Sequence, residues 1–461
     1  MKTTMNWNNC FSNERFGVNS KGGIRNDFER DWDRLIFSSA FRRLQNKTQV
    51  FPLPEEVFVH NRLTHSLEVA SVGRSLGKLV GKEISKLPEV KTDDKARPFY
   101  RNHLKSVIAS ACLAHDMGNP AFGHSGEEAI SKFFIENSKS KAFRKMFSDG
   151  EWSDLTNFEG NANALRLLTK DSQAGTKGGY RLTYSTLGSI IKYPCESKAS
   201  LGKKGGVHRK KYGFFQLDLK VFSEITKKLN MIQEKTNDGI VFKRHPFVYL
   251  VEAADDICYN IIDFEDSHRL GILSHEFVSG IFLELIKLNK NEDFEHVQQM
   301  CEQLDSDKNE KIAYLRAKAI NYLTIRCAEI FMKKKNAILQ GIYTGDLISD
   351  ISEAKKVITK IEEVSYKKIY NYSSVVKIEL AGFRIMSGLI EDFVEAALIP
   401  SKKRIKRHNK ILELLPPSHR FEETNTPYEK VMRVIDYISG MTDLYALKLY
   451  RNIRGIEMPS I

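Results

Sequence analysis

At 461 residues, with 41% hydrophobic and 28% charged side chains, the chain has material for one large core or up to about three domains, which excludes a mostly disordered chain and an integral membrane protein. Lys and Arg number 71 against 58 Asp and Glu, and the formal charge of +13 favours anionic partners such as nucleotides, nucleic acid or anionic lipid. Six cysteines lie far apart with no CxxC pair, MKTTMNWNNCFSNERFG lacks the apolar run of a signal peptide, and no window reaches about 18 apolar residues, so the reading is a reduced, cytoplasmic protein without a membrane span.

Proline is scarce, at 12 residues, and long stretches avoid both Pro and Gly, so the fold reads as all-α. Residues 27–46 place Phe28, Trp32, Leu35, Ile36, Ala40 and Leu44 on one stripe and predict a helix. A loop with Pro52 and Pro54 follows. Arg62 to Lys82 predicts a second helix, and Ser106 to His115 a third that is almost wholly apolar and therefore central. Gly118, Asn119, Pro120 and Gly123 then break the chain. Residues 170–213 read as two Gly- and Lys-rich loops around TYSTLGSIIKYP, loops expected to order around a ligand. From about Asp218 helical periodicity runs with short breaks to the C-terminus. The run Lys402 to Lys410 is the densest basic cluster and reads first as a solvated helix end, with single-stranded nucleic acid as the competing partner.

Four side chains stand out for chemistry: His65, the adjacent pair His115 and Asp116, and Asp255. Each alone reads most simply as a core histidine or a helix cap. Together they change meaning, because His115 and Asp116 end an apolar helix and Asp255 and Asp256 sit within one, where an acid needs a cation or donors. Two imidazoles and two carboxylates suit one divalent ion of intermediate hardness, Mn²⁺, Mg²⁺ or Fe²⁺. His124 and Glu127 lie three apart, a spacing that lets the carboxylate orient the imidazole, with a capping role for Ser125 and Glu127 as the competing reading. Arg62, one turn before His65, and Lys192, Lys211 and Asn161 offer positive charge and an amide for phosphate, although Lys211 reads equally well as a surface lysine. Asp255, Tyr259 and Asp263 share a helix face at i, i+4 and i+8. No GxxxxGK[ST] occurs, so phosphate recognition falls to side chains and metal.

The segments FRRLQNKTQV, NRLTHSLEV, HDMGNPAFGHSGE, NFEGNA, LTYSTLGSIIKYP, KKYGFFQ, EAADDICYNIIDFED and RVIDYISGMTDLYA resemble, in this order, the HD-domain deoxynucleoside triphosphate triphosphohydrolases, the dGTPase family. The resemblance covers nearly the whole chain. It implies an all-helical HD core over residues 1–275 with a C-terminal helical region over 276–461. It implies hydrolysis of a dNTP, dGTP foremost, to deoxynucleoside and tripolyphosphate, in a homo-oligomer, a tetramer or hexamer. It also implies the site roles: His65, His115, Asp116 and Asp255 on the metal; His124 and Glu127 in proton handling, acid or base left open; Arg62 and Lys192 toward phosphate; Tyr259 on the deoxyribose; Asp263 on its 3′-hydroxyl; and Gln45 near the base edge, with Lys211 and Asn161 as further phosphate candidates and Tyr193 in the substrate-binding set. Ala121 and Asn119 depart from common family residues without removing a ligand. The alternatives are an HD phosphohydrolase for another phosphate ester and a nucleotide-controlled binding protein for single-stranded nucleic acid.

Overall fold

The computed structural model describes residues 5–18, 25–51, 59–171 and 177–458. Its order is helical almost throughout: α1 (Asp27–Ile36), α2 (Arg62–Ile84), α3 (Leu104–Ala114), α4 (Gly123–Asn137), α5 (Gly160–Thr169), α6 (Tyr184–Ile190), α7 (Val248–Arg269), α8 (Lys308–Leu339), α9 (Ser373–Leu398), α10 (Pro427–Ser439) and α11 (Asp443–Ile453), joined by shorter helices and turns. Among the described residues the one sheet is a two-residue ladder, β1 (Gln233–Glu234) antiparallel to β2 (Val241–Phe242). Among the described residues no helix is long and apolar enough to cross a membrane. All six cysteines are buried free thiols.

Two apolar cores organise the chain. The first is centred on α2, α3, α7 and α8, and α3 is its axis because every residue from Val107 to Ala114 is buried. Gly73, Gly77 and Gly81 recur at i, i+4 and i+8 on α2 and let it approach α3 closely. A Cβ on Gly73 would stand 2.4 Å from Cys112 Sγ, and one on Gly77 would stand 2.8 Å from Lys105 Cα. The second core joins α4 to α9, α10 and α11 through Ile130, Phe134, Phe393 and Ile435.

The structure departs from the sequence reading at three places. The stripe over residues 27–46 is not one helix: α1 ends at Ile36 and a short helix restarts at Ser39, because Ser38 Oγ accepts the Phe41 N–H at 3.1 Å and caps a new start. Residues 184–190 of the middle segment form a capped helix, with the Thr183 side chain accepting the Thr186 N–H, and residues 172–176 of the flanking loops lie outside the described residues. The β1–β2 ladder replaces helix after Lys228. The basic run, read first as a solvated helix end, is a largely exposed turn leading into a helix (Lys406–Glu413), where Arg404 pairs with Glu423 at 2.7 Å and Arg407 with Asp392 at 2.6 Å. With Lys410 on Glu413 at 2.7 Å, three of its cations are committed within the chain.

Candidate metal centre and active-site cleft

α2 starts where it does because Asn61 Oδ1 accepts the Leu63 and Thr64 N–H groups at 3.1 and 3.0 Å, while Thr64 Oγ1 accepts the Asn61 N–H at 3.1 Å. This cap sets Arg62 and His65 within the first turn, on the side facing α3. At the end of α3, His115 Nδ1 donates to the Cys112 carbonyl at 2.6 Å. A carbonyl only accepts, so Nδ1 carries the proton and Nε2 offers its lone pair. Asp255 reaches the same point from the middle of α7.

There the side chains converge. Asp255 Oδ1 lies 3.2 Å from His65 Nε2 and 3.4 Å from His115 Nε2, and Asp116 Oδ1 lies 3.6 Å from His115 Nε2. Donor atoms of His65, His115 and Asp116 all fall within 4.8 Å of one another. His115 Nε2 is buried without a hydrogen-bond partner among the described residues. A stranded nitrogen with carboxylate oxygens 3.4 to 3.6 Å away has the setting of a ligand donor, and the mixed N/O set fits a divalent ion. Arg62 Nη1 donates to Asp116 Oδ2 at 2.7 Å and fixes the carboxylate that presents Oδ1 inward.

The electrostatics follow from burial set against these neighbours. Burial pulls the His115 imidazole down, but Asp116 and Asp255 outweigh it and lift it to about 9. Burial pushes Asp255 up, yet His115 and His65 hold it well below the ordinary carboxylate range. Asp116 is likewise lowered, by Arg62 and His115 acting against burial. The centre holds anionic oxygens that in the bare protein are balanced by a second proton on the His115 imidazole; a divalent ion held by these four residues would take the place of that proton and leave Nε2 free to bind it.

Beside the centre opens a cleft of about 280 Å³. Arg62, His115, Asp116, His124, Glu127, Asn161, Lys192, Tyr193, Lys211 and Asp255 line it, so ten of the fourteen residues singled out in the sequence meet in one space. His65 is buried beneath it. His124 Nδ1 and Glu127 Oε2 are 3.0 Å apart, and the His124 side chain is 82% exposed while Glu127 is buried. The bond to Glu127 raises the His124 pKa. Glu127 Oε1 meanwhile accepts the Gly160 N–H at 2.7 Å, so this carboxylate caps α5 while it orients the histidine. α4 itself begins at Phe122, which takes a left-handed φ of 59° and supplies no side-chain cap. Lys211 Nζ meets Glu159 Oε2 at 2.8 Å, and Lys192 Nζ meets Glu252 Oε1 at 3.4 Å. Asn161 Nδ2 donates to Glu159 Oε1 at 2.6 Å.

Tyr259, Asp263 and Gln45 are not among the residues that line this cleft, although Tyr259 follows Asp255 by one turn of α7. The Tyr259 ring stacks on Tyr370 with centroids 5.6 Å apart, and the Tyr370 hydroxyl donates to Asp263 Oδ2 at 3.0 Å. Burial pushes the Asp263 carboxyl well up. Gln45 is exposed on a single turn at Leu44–Asn46.

A relative from Synechocystis sp. called a deoxyguanosinetriphosphate triphosphohydrolase-like protein is 36% identical over 465 residues, covering 98% of this chain and all of its own length. One of the same description from Pseudomonas aeruginosa is 38% identical, covering 99% of this chain and all of its own. The chain belongs to the deoxyguanosinetriphosphate triphosphohydrolase-like family. A further relative from Yersinia enterocolitica, described as a deoxyguanosinetriphosphate triphosphohydrolase, is 31% identical over 93% of this chain and 94% of its own. The HD domain model matches residues 62–172 and the phosphohydrolase-associated domain model residues 351–452. In this family member the first match holds His65, His115 and Asp116, whereas Asp255 lies beyond it and Tyr370 lies within the second.

Several residues of the site were not found from sequence. Tyr370 follows a π-type turn at Ser365–Ile369 and lies 107 positions from Asp263, with no local signal. Glu252 and Arg244, paired at 2.7 Å, form the ionic wall behind Lys192. Glu252 was readable as the third acid of an apolar helix with a partner to find. Lys47, 3% exposed, carried no signal because lysines are seldom buried.

Proposed function

We propose that this chain is a metal-dependent hydrolase that cleaves a deoxynucleoside triphosphate, dGTP foremost, into deoxynucleoside and inorganic tripolyphosphate. The observation that carries the reading is the meeting of His65 and His115 Nε2 on one Asp255 oxygen, at 3.2 and 3.4 Å, beside a cleft lined by Arg62, Lys192 and Lys211. His65, His115, Asp116 and Asp255 would hold one Mn²⁺ or Mg²⁺, with Fe²⁺ as a further occupant, and the ion supplies Lewis-acid polarisation of a phosphate oxygen and acidifies water.

The remaining steps belong to the protein. Arg62, Lys192 and Lys211 neutralise the triphosphate, and Asn161 and Tyr193 bound its path, so that charge developing on the transferred phosphoryl group meets fixed donors. Water adds to the α-phosphorus, the bond from that phosphorus to the 5′-oxygen breaks, and a proton reaches the leaving oxygen. His124, held by Glu127 and open to solvent, manages protons at its Nε2. Tyr259 carries the deoxyribose on its ring, Asp263 accepts the 3′-hydroxyl in exchange for the Tyr370 hydroxyl, and Gln45 serves the base edge. A tyrosine ring close to the 2′ carbon disfavours ribose.

Incubating the protein with each dNTP and rNTP in Mn²⁺ or Mg²⁺ and resolving products by anion exchange tests this. Deoxynucleoside with intact tripolyphosphate is the expected result, lost in His115→Ala. Release of orthophosphate or pyrophosphate instead would refute the reading.

A further inference from the structure

The segment from Met117 to Phe122 joins the metal-ligand end of α3 to the His124 end of α4. It is too irregular to hold its own shape: inside it, the Asn119 N–H bonds the Asp116 carbonyl at 3.2 Å and the Gly123 N–H bonds the Pro120 carbonyl at 3.2 Å. Locally, the Met117 N–H also bonds the Ala114 carbonyl at 3.1 Å and Asn119 Nδ2 donates to Asp116 Oδ1 at 2.6 Å. The remaining support comes from far along the chain. Lys47 Nζ donates to the Asn119 carbonyl at 2.5 Å and to the Ser439 carbonyl at 3.0 Å. Asp443 Oδ1 accepts the Phe122 N–H at 2.9 Å, and Asp443 Oδ2 accepts the Thr48 N–H at 2.8 Å. Asn163 Nδ2 completes the set, donating to the Gly118 carbonyl at 2.7 Å and lying 3.2 Å from Ser439 Oγ.

We infer that Lys47 and Asp443 are positioning residues for the reaction at the metal centre, a two-sided clamp by which the C-terminal helices fix the segment between Asp116 and His124. Both side chains are buried, at 3% and 5% exposure; their hydrogen bonds go to backbone groups, and they feel each other's charge without a direct ion pair among the described residues. A buried lysine that binds only carbonyls, and a buried aspartate that binds only backbone N–H groups, are costly unless the backbone they hold must not move. The Phe122 backbone requires such holding, since a phenylalanine at φ 59° is in a region that only surrounding structure sustains. Phe122 is also the residue whose N–H Asp443 takes. Release at either point frees the segment that separates the metal from the proton carrier.

The activity arm rests on the function proposed above, and the physical arms do not. Asp443→Asn keeps one acceptor, Asp443→Leu keeps none, and Lys47→Met keeps the stem while losing every donor. In each full-length variant, kcat and KM with dGTP, Mn²⁺ affinity by calorimetry, and amide hydrogen exchange at Phe122 and Thr48 are measured. The expected result is a kcat lower by about 10²-fold in the Leu and Met variants, as for a misplacement near 1 Å, with Asn between them and wild type. KM stays within about threefold, because substrate contacts remain. Exchange at Phe122 and Thr48 accelerates in Asp443→Leu, and at one of the two in Asp443→Asn, while interior α3 amides keep their protection and Mn²⁺ binds more weakly. If Asp443→Leu fails to fold, Asp443→Asn and Lys47→Met give the same readings. Unchanged exchange at both Phe122 and Thr48 in Asp443→Asn overturns the clamp, as does faster exchange with unaltered kcat and Mn²⁺ affinity, or a loss of activity that comes only with loss of α3 protection. A wild-type protein inert toward every dNTP sinks the proposed function, while exchange and Mn²⁺ affinity still judge the clamp.

Discussion

Gly73 is where the three ligand-bearing helices touch. A Cβ there would meet Cys112 Sγ of α3 at 2.4 Å, Ile108 Cγ2 at 3.2 Å and Ala254 Cβ of α7 at 3.6 Å. Comfortable contact between such atoms begins at about 3.5 Å, so Gly73→Ala must push α3 away by roughly 1 Å. Cys112 cannot absorb this, being fully buried, and its carbonyl anchors His115. Overpacking costs about 1–3 kcal/mol, and replacing a helical Gly by Ala returns about 1 kcal/mol, so net destabilisation should be about 0–2 kcal/mol. The loss of metal should be larger than that loss of stability, since ligand distances tolerate only about 0.2 Å. Urea unfolding with and without Mn²⁺, together with calorimetric Mn²⁺ titration, measures both. Cys112→Ala removes the sulfur at a cost of about 1 kcal/mol, and combining the two substitutions should restore Mn²⁺ affinity with a coupling of about 1–3 kcal/mol. A Gly73→Ala protein that binds Mn²⁺ like wild type, or a double variant no better than the single one, would show that the close approach of α2 to α3 does not set the centre.

Other outcomes are fixed by single contacts. His60 accepts burial only because Asp266 at 2.8 Å and Glu68 at 3.1 Å flank it, and they outweigh desolvation to lift its pKa from 6.5 to about 10. The raised value makes this contribution fully present below pH 6.5 and lost as pH climbs through about 10. His60→Gln should therefore cost most stability in mild acid, with an upper bound of about 5 kcal/mol, and match wild type in strong base by urea unfolding across pH. Glu127→Gln withdraws the bond that raises His124, so the histidine limb of the pH–rate profile should move to lower pH and kcat should fall by about 10²–10⁴-fold; an unmoved limb would assign it to another group. Tyr370→Phe removes the hydroxyl on Asp263 and should alter KM for dGTP more than for its 3′-deoxy analogue, a contrast absent if Asp263 does not meet the sugar. Tyr259→Ala should narrow discrimination against rGTP, and an unchanged ratio of kcat/KM values would dismiss the ring as the ribose filter.

The helices that carry ligands were legible because their patterns are strong. The apolar stretch before His115 has no exposed face, so its burial followed from composition alone, and the acids at its end and within the Asp255 helix had to find partners. Helix spacing also kept Asp255, Tyr259 and Asp263 in line, as the continuous α7 bears out. What escaped notice depends on long range. Nothing near Lys47 or Asp443 announces that they meet the same segment from either side, with 395 positions between Thr48 and Asp443. The break at Ser38 was missed because the apolar stripe continues through it, and a cap outweighs periodicity over so short a stretch. Tyr370 is invisible for a similar reason, since its value lies in where a π-type turn delivers it.

The four candidate ligands come from three helices and are spread from residue 65 to residue 255. No shorter stretch of chain, folded by itself, contains the set. On the proposed function, capture of an ion by all four would be a late event, a stamp applied only after distant segments have docked. A half-made chain would then have no complete site for a nucleotide, and tightening of Mn²⁺ binding during refolding would mark the docking of α7 onto α2 and α3.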